Sequence, residues 1–420
     1  MLRLPALQTP RAAMATASFL TLALGLAAPM GTAAAETVTL ENFTSTSKEG
    51  DVTTIKHADF EGANLTKEEI EKIFSTDEAD DEKTALVQKF KVDKMSIPAI
   101  DVAPKKGGAI HIHDVVATKV DAGKIGALGI SGIEGSGIDK DGAVVIKAGA
   151  LKVENADLTT ALAAATHSGD APASSQLGSF SWQNVDLTIP ETEGAPADKT
   201  IHLALGSVEI HNNYNGAVFK DGAATLKGFV VEPSKASDMA ASLGILGYTK
   251  IELGMTSTAH YDAGAKTMTI DDLTFNGDKM GALALKANFG DVGPEIFGAD
   301  NDARMAGLIG GNISGLELKF TNAGLFEKTV GYFADAQKMT PEQLKAQWTQ
   351  VAGQMLPAVL GGSPPALKLA GAAQKFIASP TSLTIVVKPK SGALKFGDAM
   401  ALADPSTILS KLDITATPGQ

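Results

Sequence analysis

The sequence predicts an α+β fold: predominantly twisted antiparallel β-sheet with internal repeats, short helices and a C-terminal helical segment. Short alternating apolar and polar runs recur along the chain, with turn residues and not helices between most neighbours. Two stretches match each other in residue type at a nearly steady offset. The last quarter alone carries well-capped apolar stripes at helical spacing.

The first element is a leader. Arg3 and Arg11 form a positive start, Ala12 to Ala28 is uncharged and mostly apolar, and Pro29 and Gly31 break it. Ala33 and Ala35 supply the small residues that signal peptidase needs before Glu36. The apolar stretch is marginal for spanning a hydrocarbon core of ~30 Å, so cleavage after Ala35 is expected rather than anchoring. Neither a twin-arginine pair nor a lipidation cysteine is present. General secretion to the periplasm or the medium follows, with no integral membrane span after cleavage.

The repeat comes next. Lys140–Lys147 matches Lys220–Lys227, and Ile97, Pro98, Ile110 and His111 correspond to Ile189, Pro190, Ile201 and His202, with one loop differing in length. Strands are expected at Ala143 to Val153, Phe180 to Ile189, Ile201 to Ile210, Ala282 to Phe289, Leu316 to Phe320 and Leu383 to Val387. Strict alternation in Thr267 to Phe275 puts Met268, Ile270, Asp272 and Thr274 on one face, with Leu273 and Phe275 on the other. Turn residues at 262–266 and at Asn276 and Gly277 make this a hairpin or meander.

Short helices close the repeats. Thr66 and Glu69 form a capping box with Leu65 and Ile70 as a staple, Asp157 caps a helix from Leu158, and Ser237 caps another through Leu246. The acidic run from Asp77 to Glu82 reads as a solvated loop. Further on, Thr340, Pro341 and Gln343 start a helix whose stripe is Leu344, Trp348, Val351, Met355, Leu356 and Val359. That stripe needs an apolar sheet to lie on. Pro357 bends or ends the helix and Gly361 to Pro365 stops it. A second helix, a strand from Ser382 and a last strand from Asp413 follow. The chain thus divides into a leader (1–35), a β-rich repeat region (36–335) and a helix–strand segment packed on the sheet (336–420).

Composition excludes several classes. With 420 residues, 44% hydrophobic and 20% charged, the chain is ordinary globular material. No cysteine means no disulfide, thiolate metal site, iron–sulfur cluster or thiol nucleophile. The net charge is −12, and loss of Arg3 and Arg11 with the leader makes it −14, leaving Arg304 as the sole arginine. Nucleic acid is therefore excluded as a partner, and anionic lipid surfaces are disfavoured at long range. Four tyrosines and two tryptophans are too few for the aromatic girdles of an outer-membrane barrel.

No motif assembles a catalytic or metal site. His111 and His113, beside Asp114, share one face of a strand, but His57, His167, His202, His211 and His260 are scattered and the repeat replaces His113 by Ala204. They read as structural. Asp300 and Asp302, near Arg304, lack the spacing of a calcium loop. Ser45 and Lys48 match Ser-x-x-Lys without the other elements of that chemistry. The glycines from Gly126 to Gly137 have no helix after them and read as a bent strand, not a phosphate loop. Trp182 and Trp348 read as core. No catalytic, cofactor-binding or metal residue and no cofactor is assigned.

Tyr261–Gly277 and Lys375–Ile385 resemble the repeated hairpins of uncharacterised exported proteins of Gram-negative bacteria. Their strand-turn-strand pattern also resembles AsmA-type envelope proteins, whose repeated strands form lipid-carrying grooves. The resemblance implies an envelope location and transfers no residue. The expectation is a non-enzymatic periplasmic binding or envelope-support protein with a hydrophobic or lipid ligand. The alternatives are a surface-exposed structural β-repeat protein and a hydrolase with an unidentified carboxylate site.

Overall fold

The computed structural model describes residues 37–48, 50–75, 80–139, 142–157, 176–192, 195–298, 300–397 and 405–419. The leader, His167 and the helix expected from Leu158 lie outside them. The chain forms two compact units, one holding the described residues up to Ile210 with Val230–Ala240, the other His211–Phe229 with the described residues from Ala241 on.

In the first unit, alternation becomes strands β1 (Thr37–Thr46) and β2 (Val52–Glu61), helices α1 (Lys67–Phe74) and α2 (Asp80–Val87), then β3 (Lys91–Ala103), β4 (Gly108–Asp121), β5 (Lys124–Ile130), β6 (Gly132–Asp139), β7 (Gly142–Ala148), β8 (Leu151–Asp157) and β9 (Gln176–Pro190). β10 (Thr200–Asn215), β11 (Val218–Pro233) and helix α3 (Asp238–Ile245) have residues in both units. β1 to β4 form an antiparallel meander. β4 is long enough to pair with β6 near its start and with β5 near its end, and β7 and β8 then both pair with β9.

The glycine-rich stretch is the bent strand expected. β5 and β6 meet at Ser131, whose N–H donates to His113 O (3.0 Å). At Gly135 a Cβ would strike Ala109 O and Ile110 Cα on β4, so the close approach there needs glycine. The strand expected at Ala143 to Val153 is instead two, broken where the Gly149 N–H turns to Gln183 O (3.0 Å). Of the two matching motifs, the described residues Gly142–Lys147 lie in β7 and Lys220–Lys227 lies within β11.

The α1 capping box forms as predicted. Of the acidic run, Asp77 to Ala79 lie outside the described residues, and Asp80 to Glu82 begin α2 where a loop was expected. One sheet face packs into a sealed core that includes Leu40, Ile55, Phe60, Ile97, Ile125, Leu128 and Leu151, with Ile70, Ile73 and Phe74 of α1 laid on it. Phe60 meets the rings of Phe74 and Phe90 at 5.9 and 6.0 Å. Each such side chain stabilises by roughly 1.5–3 kcal/mol.

The second unit holds β12 (Ile251–Asp262), β13 (Thr267–Gly277), β14 (Gly281–Gly290), a 3-10 turn (Pro294–Phe297), α4 (Asn301–Gly310), β15 (Asn312–Asn322), α5 (Leu325–Gln337), α6 (Pro341–Val359), α7 (Pro364–Ala378), β16 (Ser382–Pro389), β17 (Leu394–Lys395), α8 (Pro405–Ser410) and β18 (Leu412–Pro418). Strands pair antiparallel in the order β12, β13, β14, β15, β16, β18, with β17 on the start of β15. Asp262 makes the first hairpin turn, its carboxylate accepting from the N–H groups of Gly264 (2.8 Å) and Ala265 (2.9 Å).

Two expectations are corrected here. The faces of β13 do not alternate throughout. Ile270 pairs with Ala259 and Ala287, whereas Leu273 pairs with Ser257 and Leu285, so a bulge at Asp271 and Asp272 adds one residue. Met268, Ile270, Leu273 and Phe275 therefore share one face. The α6 stripe is also divided. Leu344 is buried with Val330 and Ala334 of α5, and Trp348 meets Phe326 and Phe333 of α5 at 6.1 and 5.9 Å. Val351, Met355 and Val359 face solvent instead of a sheet. The Thr340 capping box forms, and α6 continues past Pro357 to Val359 before Gly361 and Gly362, both at positive φ, end it.

Candidate functional site

Directly opposed residues of antiparallel strands point to the same face, so the pairings of the second unit can be followed row by row. Met255, Phe275, Leu283, Phe320 and Leu383 form one row. Ser257, Leu273, Leu285, Leu318 and Ile385 form the next, and Ala259, Ile270, Ala287, Leu316 and Val387 the third. Tyr261, Met268, Phe289 and Ile313 extend the patch. At ~4.8 Å between strands and ~3.4 Å per residue, the face measures roughly 24 by 20 Å. That length suits an extended long acyl chain.

The opposite face is polar. Asp272 accepts from the hydroxyls of Thr256 (2.6 Å) and Thr274 (2.7 Å), and these bonds hold its carboxyl below the usual value. His260 pairs with Asp271 there at 2.8 Å. The bulge thus satisfies its two carboxylates outside while keeping the inner face apolar.

Cover on the apolar face is partial. Phe376 of α7 meets Phe320 edge-on at 5.7 Å, and Leu369 packs, as Ile385 and Val387 do, on the buried cluster of Leu394, Leu412 and Ile414. Phe297 lies 4.9 Å from Tyr261, and Phe396 stacks on Phe289 at 5.8 Å. Among the described residues nothing equivalent covers the corner of β12 to β14, where Phe275 is 50% exposed, Leu283 42% and Leu253 38%. None of the large apolar side chains in the three rows is buried, unlike those in the core of the first unit.

The histidines singled out in the sequence, His111 and His113, lie at half-buried positions on β4. His111 Nδ1 is 2.7 Å from Asp101, and His113 Nε2 is 3.6 Å from Glu134. These belong to a charged row across the first unit, where Asp101, His111, Glu134, Lys147 and Asp186 are successive partners and His202 bonds Asp186 at 2.8 Å. Among the described residues no three such groups are arranged to hold a metal. Asp300 caps α4, accepting from the N–H groups of Asp302 and Ala303, and Arg304 donates to Asn301 at 2.7 Å. Ser45 is buried on β1, its hydroxyl 3.4 Å from that of Ser75, the C-cap residue of α1. Trp182 packs against the first core with its buried indole N–H unpartnered, and Trp348 lies among the helices.

His57, on β2, lies between two carboxylates. Its two ring nitrogens lie 2.9 Å from Glu41 and 3.0 Å from Asp59, and these two carboxylates favour the protonated ring, so its pKa is raised above the ordinary 6.5. A raised folded pKa contributes stability that is complete below 6.5 and fades as pH climbs through the folded value. NMR titration of the ring should therefore give a midpoint above 6.5, and His57→Gln should remove this part of the pH dependence of melting. An unshifted midpoint would contradict the pairing.

The apolar face was not legible in the sequence, because strict alternation across Asp271 divides its residues between two sides. Among the described residues, no helix is long and apolar enough to cross a membrane. A family model described as "Uncharacterized protein" matches residues 274–418, from within β13 to the end of β18. No curated protein matches the chain.

Proposed function

We propose that this chain is a non-enzymatic binding protein of the cell envelope, exported by general secretion, whose second unit holds a hydrophobic ligand of the long-chain lipid class. One observation carries the reading: a continuous apolar sheet face whose Phe275, Leu283 and Leu253 stay in contact with water. Covering side chains of this type gains ~1.5–3 kcal/mol each when complete, so the open corner is the place where a ligand adds most. The helical layer of α5 to α7 borders the face, and Gly361 and Gly362 provide a turn about which its margin can move.

A fluorescent long-chain fatty acid titrated into the mature chain tests this. Saturation should raise the melting temperature, since a ligand present at 100 times its Kd stabilises by about 2.7 kcal/mol. Phe275→Asp should weaken binding at least tenfold in a variant that still melts cooperatively, while Lys319→Asp on the polar face leaves binding intact. If saturating fatty acid alters neither emission nor melting, the open face is a structural surface and the scaffold reading replaces the carrier.

A further inference from the structure

Residues 343–397 contain six lysines and no acidic residue, in a chain whose net charge is −12. Within that stretch, residues 346–367 carry no charge at all. They comprise most of α6, the glycine turn and the start of α7, the part of this helical hairpin whose apolar side chains face water. Met355 is 57% exposed, Val359 66% and Leu367 56%.

The packing of α7 shows which charges lie near this tip. Leu369, early in α7, packs with Ile385, Val387, Leu412 and Ile414, late in β16 and early in β18. Phe376, late in α7, meets Phe320, the partner of Leu383 at the start of β16. The helix therefore runs against β16, and its first turn shares an end of the sheet with Lys388 and Lys390. Lys395 reaches the same end because β17 pairs with Asn312 and Ile313, the first residues of β15. Lys368, Lys388, Lys390 and Lys395 are exposed there. Lys390 donates to Ser410 O at 2.8 Å, and Asp413 is the partner opposite Lys388. α4 ends just before β15 and adds exposed Leu308 and Ile309.

We infer that this end of the second unit docks on an anionic bilayer surface, with Met355, Val359 and Leu367 entering the headgroup boundary and the lysines facing lipid phosphates. An uncharged apolar tip beside lysines is the combination that interfacial segments use, apolar burial and headgroup attraction acting together. The acidic net charge opposes approach from a distance, but screening confines each field to ~8–10 Å, and among the described residues at this end the four lysines outnumber Asp413 and Asp291, which accepts from Asn312 Nδ2 at 2.7 Å. The inference does not depend on the apolar sheet face holding a ligand.

Vesicle co-sedimentation of the mature chain tests it, with phosphatidylcholine alone and with phosphatidylcholine containing one third phosphatidylglycerol. Binding should be at least tenfold tighter to the anionic vesicles and should fall as sodium chloride is raised. Val359→Asp with Leu367→Asp should abolish it at unchanged melting temperature, Lys368→Glu with Lys388→Glu should remove the anionic preference, and Val145→Asp, an exposed position of the first unit, should have no effect. Fatty-acid binding by the Val359→Asp, Leu367→Asp variant should be retained, which separates failure of docking from failure of the ligand reading. Three results would each overturn the inference: no sedimentation with either vesicle, equal binding to both, or a wild-type dimer in ultracentrifugation that the tip variant converts to monomer.

Discussion

Deleting Asp271 should turn Leu273 and Phe275 onto the polar side of the sheet and destabilise the second unit by about 2–4 kcal/mol, the value of two apolar side chains discounted for their partial exposure. Ile270 pairs with Ala287 and Leu273 with Leu285, so three residues of β13 span a step that takes two on β14. Removing one restores plain alternation, and a one-residue slip exchanges the faces of everything beyond it. Asp272 would be displaced from Thr256, and Thr274 or Asn276 would enter the apolar rows. A Trp182→Phe background leaves Trp348, in the second unit, as the sole indole. In that background urea unfolding followed by emission should show an earlier transition for the deletion, and fatty-acid binding should be lost. Asp271→Asn keeps the residue count and should retain both properties. A deletion as stable as its parent would mean that the bulge does not set the faces.

Leu344→Ala should cost about 2–5 kcal/mol, the range for emptying a core leucine site. Its side chain is 0% exposed and shares a small cluster with Val330 and Ala334, with Phe326 and Trp348 against it. Little else in α6 is buried, since Val351, Met355 and Val359 face water. The truncation should therefore loosen α6 from α5, shift Trp348 emission to the red and lower the melting temperature. Val351→Ala, on the exposed side of the same helix, should change stability by less than ~0.5 kcal/mol. Equal effects from the two would show that α6 is held by the surface that now faces solvent.

Local chemistry made much of the fold legible. The boxes at Thr66 and Thr340 need only residues three apart, and both form. The strands around Asp262 follow from a turn that its own carboxylate closes. The glycine-rich segment could be read as bent strand because no helix follows it. The readings that changed were those in which a neighbour decides. The side on which Phe275 lies depends on how many residues β12 and β14 place opposite β13.

By itself, then, the sequence determined a cysteine-free, sheet-dominated α+β chain with capped C-terminal helices, because capping, turn formation and alternation are decided within a few residues. It also contained the acid-free run of 343–397, which lies in one continuous stretch. Only the tertiary structure decided that Met268, Ile270, Leu273 and Phe275 share a face, that this face is partly open, and that α7 running against β16 brings the lysines beside the apolar tip. Those properties depend on pairing between strands distant in the chain and on which surfaces remain uncovered after packing, neither of which periodicity contains.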